Sequence, residues 1–197
     1  MTESRDAFRW HDGISPEERR TLLGLPVGQT LWLTGLSGSG KSSVAVALER
    51  VLLERGRPAL VLDGDNLRHG LNADLGLSPP DRAENVRRVG EVAKLFAGVG
   101  WVAIVPVISP YAADRDLVRA SHVAGGFGFS EVYVDTPLQV CQQRDPKGLY
   151  AKAIAGEITG MTGMDAPYEA PATPELHLDG TASIESLVAT VLELIGA

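Results

Sequence analysis

The chain is short of cysteine and of basic charge, and each shortage removes a class of explanation. Cys141 is the only cysteine, which excludes a disulfide framework and a cysteine-built zinc site and suits a reducing cytosol. The lone thiol is read as incidental packing rather than as a nucleophile. Lysine and arginine total 18 against 25 aspartate and glutamate, a net charge of −7, so the basic face that a nucleic-acid backbone requires is missing. An anionic ligand must be met by local basic residues. No run approaches the roughly 18 apolar residues of a membrane-spanning helix. The polar start Met1–Asp6 lacks the apolar stretch of a secretion signal. A soluble cytoplasmic protein with no membrane or nucleic-acid partner is expected. His11, His69, His122 and His177 are too scattered to suggest a metal site.

What is present is enough for a fold. At 197 residues and 44% hydrophobic content, the chain suits one domain with a substantial core. After a lead-in over residues 1–29, the remainder, 30–197, alternates apolar runs with helical patterns. Strands are predicted at Thr30–Thr34, Ala59–Leu62, Trp101–Val107, Glu131–Val134 and Leu176–Leu178, close to turn signals such as Gly64, Pro110, Pro137 and Gly180. Helices are predicted over 42–55, 83–98, 111–121, 137–143 and 183–195, the last with an apolar stripe of Ile184, Leu187, Val188, Val191, Leu192 and Ile195. This rhythm implies an α/β fold, a parallel sheet of about five strands flanked by helices, with ligands gathering beyond the carboxyl ends of the strands. Residues 144–175 break the rhythm with Gly, Pro and charge and one short helical piece near Tyr150–Ala155. Long loops of this kind are lids or disordered segments; a lid is preferred, because excluding water suits transfer of phosphate to an acceptor other than water.

The strongest motif runs Gly35-Leu36-Ser37-Gly38-Ser39-Gly40-Lys41-Ser42, a complete GxxxxGK[ST] phosphate-binding loop between a predicted strand and a predicted helix. Its glycines let backbone N–H groups converge on one anion, and the helix beginning near Ser43 adds its positive end. Lys41 is positioned to reach the β- and γ-phosphates and Ser42 to ligate Mg²⁺. A bound nucleoside triphosphate is the direct implication.

Other polar residues fall on the same sheet edge. Asp63-Gly64-Asp65-Asn66-Leu67-Arg68-His69 follows the second strand; a carboxylate there can join the Mg²⁺ shell or take a proton from an attacking hydroxyl. Asp81-Arg82-Ala83-Glu84-Asn85-Val86-Arg87-Arg88 opens a helix, and Arg82 and Asn85, three apart, share a face that with Arg68 can clamp a multiply charged acceptor. Ser109 ends the third strand region without a partnered histidine in sequence, so a hydrogen bond to ligand is favoured over nucleophilic attack. Arg144 and Lys147 are two cations that a closing lid brings over the phosphates.

Taken together these segments resemble the adenylylsulfate (APS) kinases over nearly the whole length. The resemblance is carried by Trp32–Ser42, Asp63–Asn66, Arg82–Arg88, Ile108–Tyr111, Arg144–Tyr150 and Pro167–Pro171 in the family's order. It implies a P-loop kinase fold and MgATP-dependent phosphorylation of the APS 3′-hydroxyl to give 3′-phosphoadenylylsulfate (PAPS) in sulfate assimilation, with homodimers common among relatives. By carry-over, Gly35 to Ser42 with Ser43 bind ATP phosphates, Arg144 lies near the donor adenine, and Ser42 and Asp63 serve the metal. Lys41, Asp63, Ser109 and Lys147 make the catalytic set, with Asp63 the candidate general base. Asp65, Arg68, Leu77, Arg82, Asn85, Ile108, Ser109, Gly148, Leu149, Met161 and Thr162 surround the acceptor.

Departures from the pattern cluster in the acceptor half. Leu77 and Met161 stand where the family usually places two phenylalanines that sandwich the acceptor adenine, and Val107, Ala112 and Ala151 replace a further aromatic and two commonly basic residues. The alternatives are therefore the same transfer to a different anionic, hydroxyl-bearing nucleotide or metabolite, or a non-catalytic NTP-binding scaffold. A GTPase switch is excluded, because Asn66, Asn72 and Asn85, the only asparagines, are followed by Leu, Ala and Val rather than by the lysine of an Asn-Lys-x-Asp element. A scaffold tolerates loss of Lys41, Asp63 or Arg82; all three are present.

Overall fold

The computed structural model describes residues 13–197; the polar start at Met1–Asp6 lies outside them. Five parallel strands form one sheet in the order β2-β3-β1-β4-β5. They are β1 (Gln29–Thr34), β2 (Ala59–Val61), β3 (Val102–Pro106), β4 (Gly128–Asp135) and β5 (Leu176–Asp179). Each lies within three residues of its predicted bounds. Among the described residues eight helices connect and flank them: α1 (Pro16–Leu23), α2 (Lys41–Glu54), α3 (Gly64–Leu67), α4 (Pro79–Gly98), α5 (Ala112–Ala124), α6 (Leu138–Arg144), α7 (Leu149–Ile154) and α8 (Ile184–Ile195).

Strand β1 is central because both its faces are apolar, as a doubly covered parallel sheet requires. Leu31 and Leu33 point to one side, where they join Val44, Leu48 and Leu52 of α2 and Val188 and Val191 of α8. Trp32 points to the other and packs in a second cluster with Val86, Val89 and Ala93 of α4, Val105 of β3 and Val118 of α5. The chain leaves β1 toward β2 and β3 on one side and reaches β4 and β5 on the other. The order reverses at β1, which places a ligand crevice at its carboxyl end.

Two helices escaped the sequence reading. Helix α1 lies inside the lead-in, with Ser15 capping it through its side chain, Pro16 at its start and Gly24 closing it in the left-handed conformation. Those start and stop signals were legible, but with no buried residue in α1 there was no apolar stripe to draw attention to it. Helix α3 is a single turn capped by Asp63, too short for periodicity to register.

The excursion over 144–175 is built rather than open. A third apolar cluster of Cys141, Tyr150 and Met161, flanked by Leu36, Leu149 and Ile158, packs it onto α6 and the phosphate-binding loop. The Asp165 carboxylate accepts from the backbone N–H of Gly160 and Met161 at 2.6 and 2.7 Å. Burial pushes the Cys141 thiol pKa up, which keeps it protonated and inert. Among the described residues no helix is long and apolar enough to cross a membrane.

Candidate active site

The carboxyl ends of β1, β2 and β3, the loop after β5 and the excursion enclose one cavity of about 1040 Å³, the upper end of the range for small-molecule sites. Its donor end starts at β1. Gly35, Gly38 and Gly40 all have positive φ, 148°, 74° and 106°, as the loop needs to fold its N–H groups inward. At Gly35 a side chain is excluded twice, since a Cβ would also lie 2.5 Å from the Val134 carbonyl. Lys41, at the start of α2, is buried and donates from Nζ to the carbonyls of Gly35 (3.0 Å) and Leu36 (2.7 Å) and to Ser39 Oγ (3.4 Å). Its pKa is pushed down to about 8, first by burial and next by the Lys147 charge.

The phosphate-loop end includes the expected Arg144 and extends to residues that the sequence did not assign to the site. Arg144 Nη2 donates to the Gly180 carbonyl at 3.0 Å, and its Nη1 reaches the carbonyls of Gly38 and Ser39. Thr136 Oγ1 donates to the Ser39 carbonyl at 2.9 Å. Gly180, Ala182, Ser183, Ile184 and Leu187 complete this end of the wall. The signal for them was positional: Gly180 follows a strand at the same sheet edge.

Ser42 joins the two ends, its hydroxyl donating to Asp63 Oδ2 at 2.7 Å. Asp63 Oδ1 accepts the Asp65 backbone N–H at 2.9 Å, which fixes the carboxylate as the cap of α3. Lys147, from the turn before α7, pairs with the Asp65 carboxylate. A hydroxyl and a carboxylate oxygen facing each other are hard oxygen donors of the kind Mg²⁺ takes, with substrate phosphates and water filling the remaining positions.

On the far side, Arg82 spans two walls. Its Nε donates to the Leu77 carbonyl (2.8 Å), Nη1 to Thr162 Oγ1 (2.6 Å) and Nη2 to the Gly160 carbonyl (2.7 Å). The arginine therefore ties the start of α4 to the excursion. Arg68 donates to the carbonyls of Leu75 and Gly76. Asn85 Oδ1 accepts from buried Asn72 Nδ2 at 3.0 Å. Leu77 lies on the cavity rim, 63% exposed, whereas Met161 is only 7% exposed.

Ser109 is 3% exposed and has φ 39°, an uncommon value for a residue with a side chain. Its Oγ accepts from Trp32 Nε1 at 3.0 Å and donates to Thr34 Oγ1 at 3.1 Å. Thr34 Oγ1 gives its own proton to the Ile108 carbonyl, so the Tyr168 hydroxyl, 3.0 Å away, is the donor to Thr34. Among the described residues no imidazole or carboxylate hydrogen-bonds the Ser109 hydroxyl, and so none of them serves it as a base for nucleophilic work.

Of the residues expected from sequence, Ser37, Gly38, Ser39, Gly40, Lys41, Ser42, Ser43, Asp65, Arg68, Leu77, Arg82 and Asn85 line the cavity, as do Ile108, Ser109, Arg144, Lys147, Leu149, Met161 and Thr162. Gly35, Leu36, Asp63 and Gly148 lie outside its wall. Gly35 and Leu36 instead orient Lys41 through their carbonyls, Asp63 reaches the cavity edge through Ser42, and Gly148 starts α7 with a left-handed backbone.

A phosphate-binding loop and a group of basic residues share this cavity, and a sequence profile decides the family. The profile of the adenylylsulphate kinase family matches residues 27–179. The chain belongs to that family. It is 52% identical over 195 residues to the adenylyl-sulfate kinase of Enterobacter sp., covering 99% of this chain and 96% of that one. It is 59% identical over 194 residues to the bifunctional enzyme CysN/CysC of Mycobacterium tuberculosis, covering 98% of this chain but only 31% of that protein. The structure of the M. tuberculosis APS kinase CysC in complex with AMPPNP and APS superimposes with a TM-score of 0.85 at 58% identity, over 87% of this chain and 99% of that one. The chain therefore has the P-loop kinase fold of that family, and it spans about a third of the length of the bifunctional relative.

Proposed function

We propose that this chain transfers the γ-phosphoryl group of MgATP to the 3′-hydroxyl of adenylylsulfate, giving PAPS and ADP. The observation that carries this reading is the single cavity: a phosphate-binding loop at one end, Arg68, Arg82 and Asn85 at the other, and Ser42 with Asp65 and Lys147 between them. A structural relative with 58% identity holds AMPPNP and APS together, and its two ligands fit such a two-ended site.

In this reading the backbone of Gly35–Ser42 and the Lys41 ammonium bind the β- and γ-phosphates, and Arg144 with Ala182 and Ile184 holds the donor base. Ser42 and Asp63 hold Mg²⁺, which supplies charge neutralisation at the phosphates when bound. The acceptor lies between Leu77 and Met161, its phosphosulfate facing Arg68, Arg82 and Asn85. Asp63 takes the proton of the attacking hydroxyl, a general-base contribution of about 10²–10⁴ in rate. The new O–P bond forms as the bond to the β-phosphate oxygen breaks, and ADP leaves. Lys147 exchanges its Asp65 partner for the transferring phosphoryl oxygens. Residues 144–175 act as the lid of a single kinase domain.

The departures at Leu77 and Met161 favour a second reading in which the same transfer reaches a phosphate-bearing nucleotide of another base. The test is ADP release by the purified chain with APS and, in parallel, with a panel of other phosphorylated nucleosides and sulfated metabolites. APS-dependent release above the rest supports the first reading. Turnover confined to another acceptor replaces it with the second.

A further inference from the structure

Arg115 lies on the first turn of α5, outside the cavity wall, and its side chain is 3% exposed. Its guanidinium fork is fully directed. Nε donates to Glu131 Oε1 of β4 at 2.6 Å, Nη1 to the Ser109 carbonyl at 2.7 Å and Nη2 to the Glu169 carbonyl at 2.8 Å. One of those carbonyls belongs to the residue with φ 39° at the end of the third strand region. The other lies where the excursion returns to the body of the protein.

The same two segments are tied twice more. Glu169 N donates to the Pro110 carbonyl at 2.8 Å, and Glu169 Oε2 accepts from the Ala112 N–H at 2.7 Å. On the opposite side of Ser109, the Tyr168 hydroxyl reaches the serine through Thr34. A left-handed backbone at a residue bearing a side chain is strained and persists only where its surroundings over-determine it. Here the surroundings are a buried arginine on the carbonyl and, on the side chain, an indole and the Thr34 hydroxyl, itself held by Tyr168. A planar fork can satisfy a carboxylate and two carbonyls at once, which a lysine ammonium at the same place cannot do in the same geometry.

We infer that Arg115 is a positioning residue for the acceptor: it holds the Ser109 backbone in its left-handed conformation and locks the return of the excursion to the same point. The inference rests on the reading that the acceptor lies against Ile108 and Ser109. Arg115 makes no contact with the phosphate-binding loop, so its effect falls on the acceptor half alone.

Three variants test it, each assayed for KM of APS, kcat, Kd of MgATP and melting temperature. Arg115→Lys keeps a cation beside Glu131 and loses the fork. It is expected to raise the APS KM about tenfold or more, as misplacement by a fraction of an ångström does, with the MgATP Kd within about twofold. Glu131→Gln weakens the ion pair but leaves a side-chain oxygen for Nε and both carbonyl contacts; it is expected to lower the melting temperature with an unchanged APS KM. Tyr168→Phe cuts the hydroxyl chain and spares the ion pair, and carries the same expectation as Arg115→Lys should that variant fail to fold. An APS KM that tracks stability across the set, or that stays at the wild-type value in both Arg115→Lys and Tyr168→Phe, overturns the inference. Wild-type protein that turns over another acceptor but not APS overturns the acceptor reading instead, and the same variants then apply to that acceptor's KM.

Discussion

The Ser42 hydroxyl donates to Asp63 Oδ2 at 2.7 Å, joining the last residue of the phosphate-binding loop to the residue that caps α3 after β2. The two are 21 positions apart, and the parallel sheet brings them together because both follow the carboxyl end of a strand. Asp63→Asn keeps an oxygen for the Asp65 N–H, turns an amide N–H toward the Ser42 hydroxyl, which then accepts, and removes the charge. It is expected to lower kcat by about 10²–10⁴, measured as ADP release at saturating substrates, with the melting temperature little changed. A loss below about tenfold would remove Asp63 from the proton transfer.

That pair also shows how far the sequence could be read. The loop and Asp63-Gly64-Asp65 were legible because each is a contiguous motif after an apolar run, and the α/β alternation then placed them on one edge. What was not legible is side-chain direction. Arg82 reads as a free cation for an acceptor, yet its three donors clasp Leu77, Gly160 and Thr162. Leu77 and Met161 read as an equivalent pair of replaced rings, yet one is on the rim and the other in a satellite core. Arg115 and Gly180 carry no motif; their roles come from contacts across 54 and 36 positions of chain.

The unlike settings of Leu77 and Met161 give unlike outcomes for the two ring replacements. Leu77→Phe adds area on an exposed rim and is expected to tighten APS binding by about 1–3 kcal/mol if a base stacks there, with stability unchanged. Met161 packs among Cys141, Tyr150 and Leu36, so Met161→Phe overpacks that cluster and is expected to cost about 1–3 kcal/mol of stability. Calorimetric titration of APS and denaturant unfolding separate the two effects. Unchanged APS affinity in Leu77→Phe would mean that the acceptor base lies elsewhere.

Lys41 is expected to make nucleotide affinity sensitive to pH. Its folded-state pKa of about 8 lies below the ordinary lysine value of 10.5, so burying the charged form opposes folding below pH 8. That opposition is relieved as pH rises from about 8 to 10.5, where the folded state has lost the proton and the unfolded state has not. Phosphates favour the charged form, so binding takes up a proton near pH 8 and the MgATP Kd rises as pH is raised through that value. Titrations at pH 7 to 9.5 in buffers of differing ionisation enthalpy would report the uptake. Lys41→Ala is expected to bind weakly at every pH and to lose this uptake; an uptake that survives in the variant would assign it to another group.

Gly180 is the point where β4, β5 and the phosphate-binding loop meet. A Cβ there would lie 1.9 Å from Thr136 Oγ1 and 3.1 Å from the carbonyls of Asp135 and Ser39. Thr136 supports the loop through the Ser39 carbonyl, and Arg144 binds the Gly180 carbonyl itself. Gly180→Ala must therefore move either the threonine or the strand end, and both movements reach the donor site. The expected cost is about 1–3 kcal/mol of stability, as for other overpacked positions, together with a loss of MgATP affinity of about tenfold or more, the equivalent of at least about 1.4 kcal/mol. Gly70→Ala serves as the control, because nothing lies within 4 Å of a Cβ at Gly70, and it is expected to change stability by no more than about 0.5 kcal/mol. If Gly180→Ala lost stability but bound MgATP as tightly as the wild type, the loop would be held in shape by its own hydrogen bonds, and the support from β5 would be structural alone.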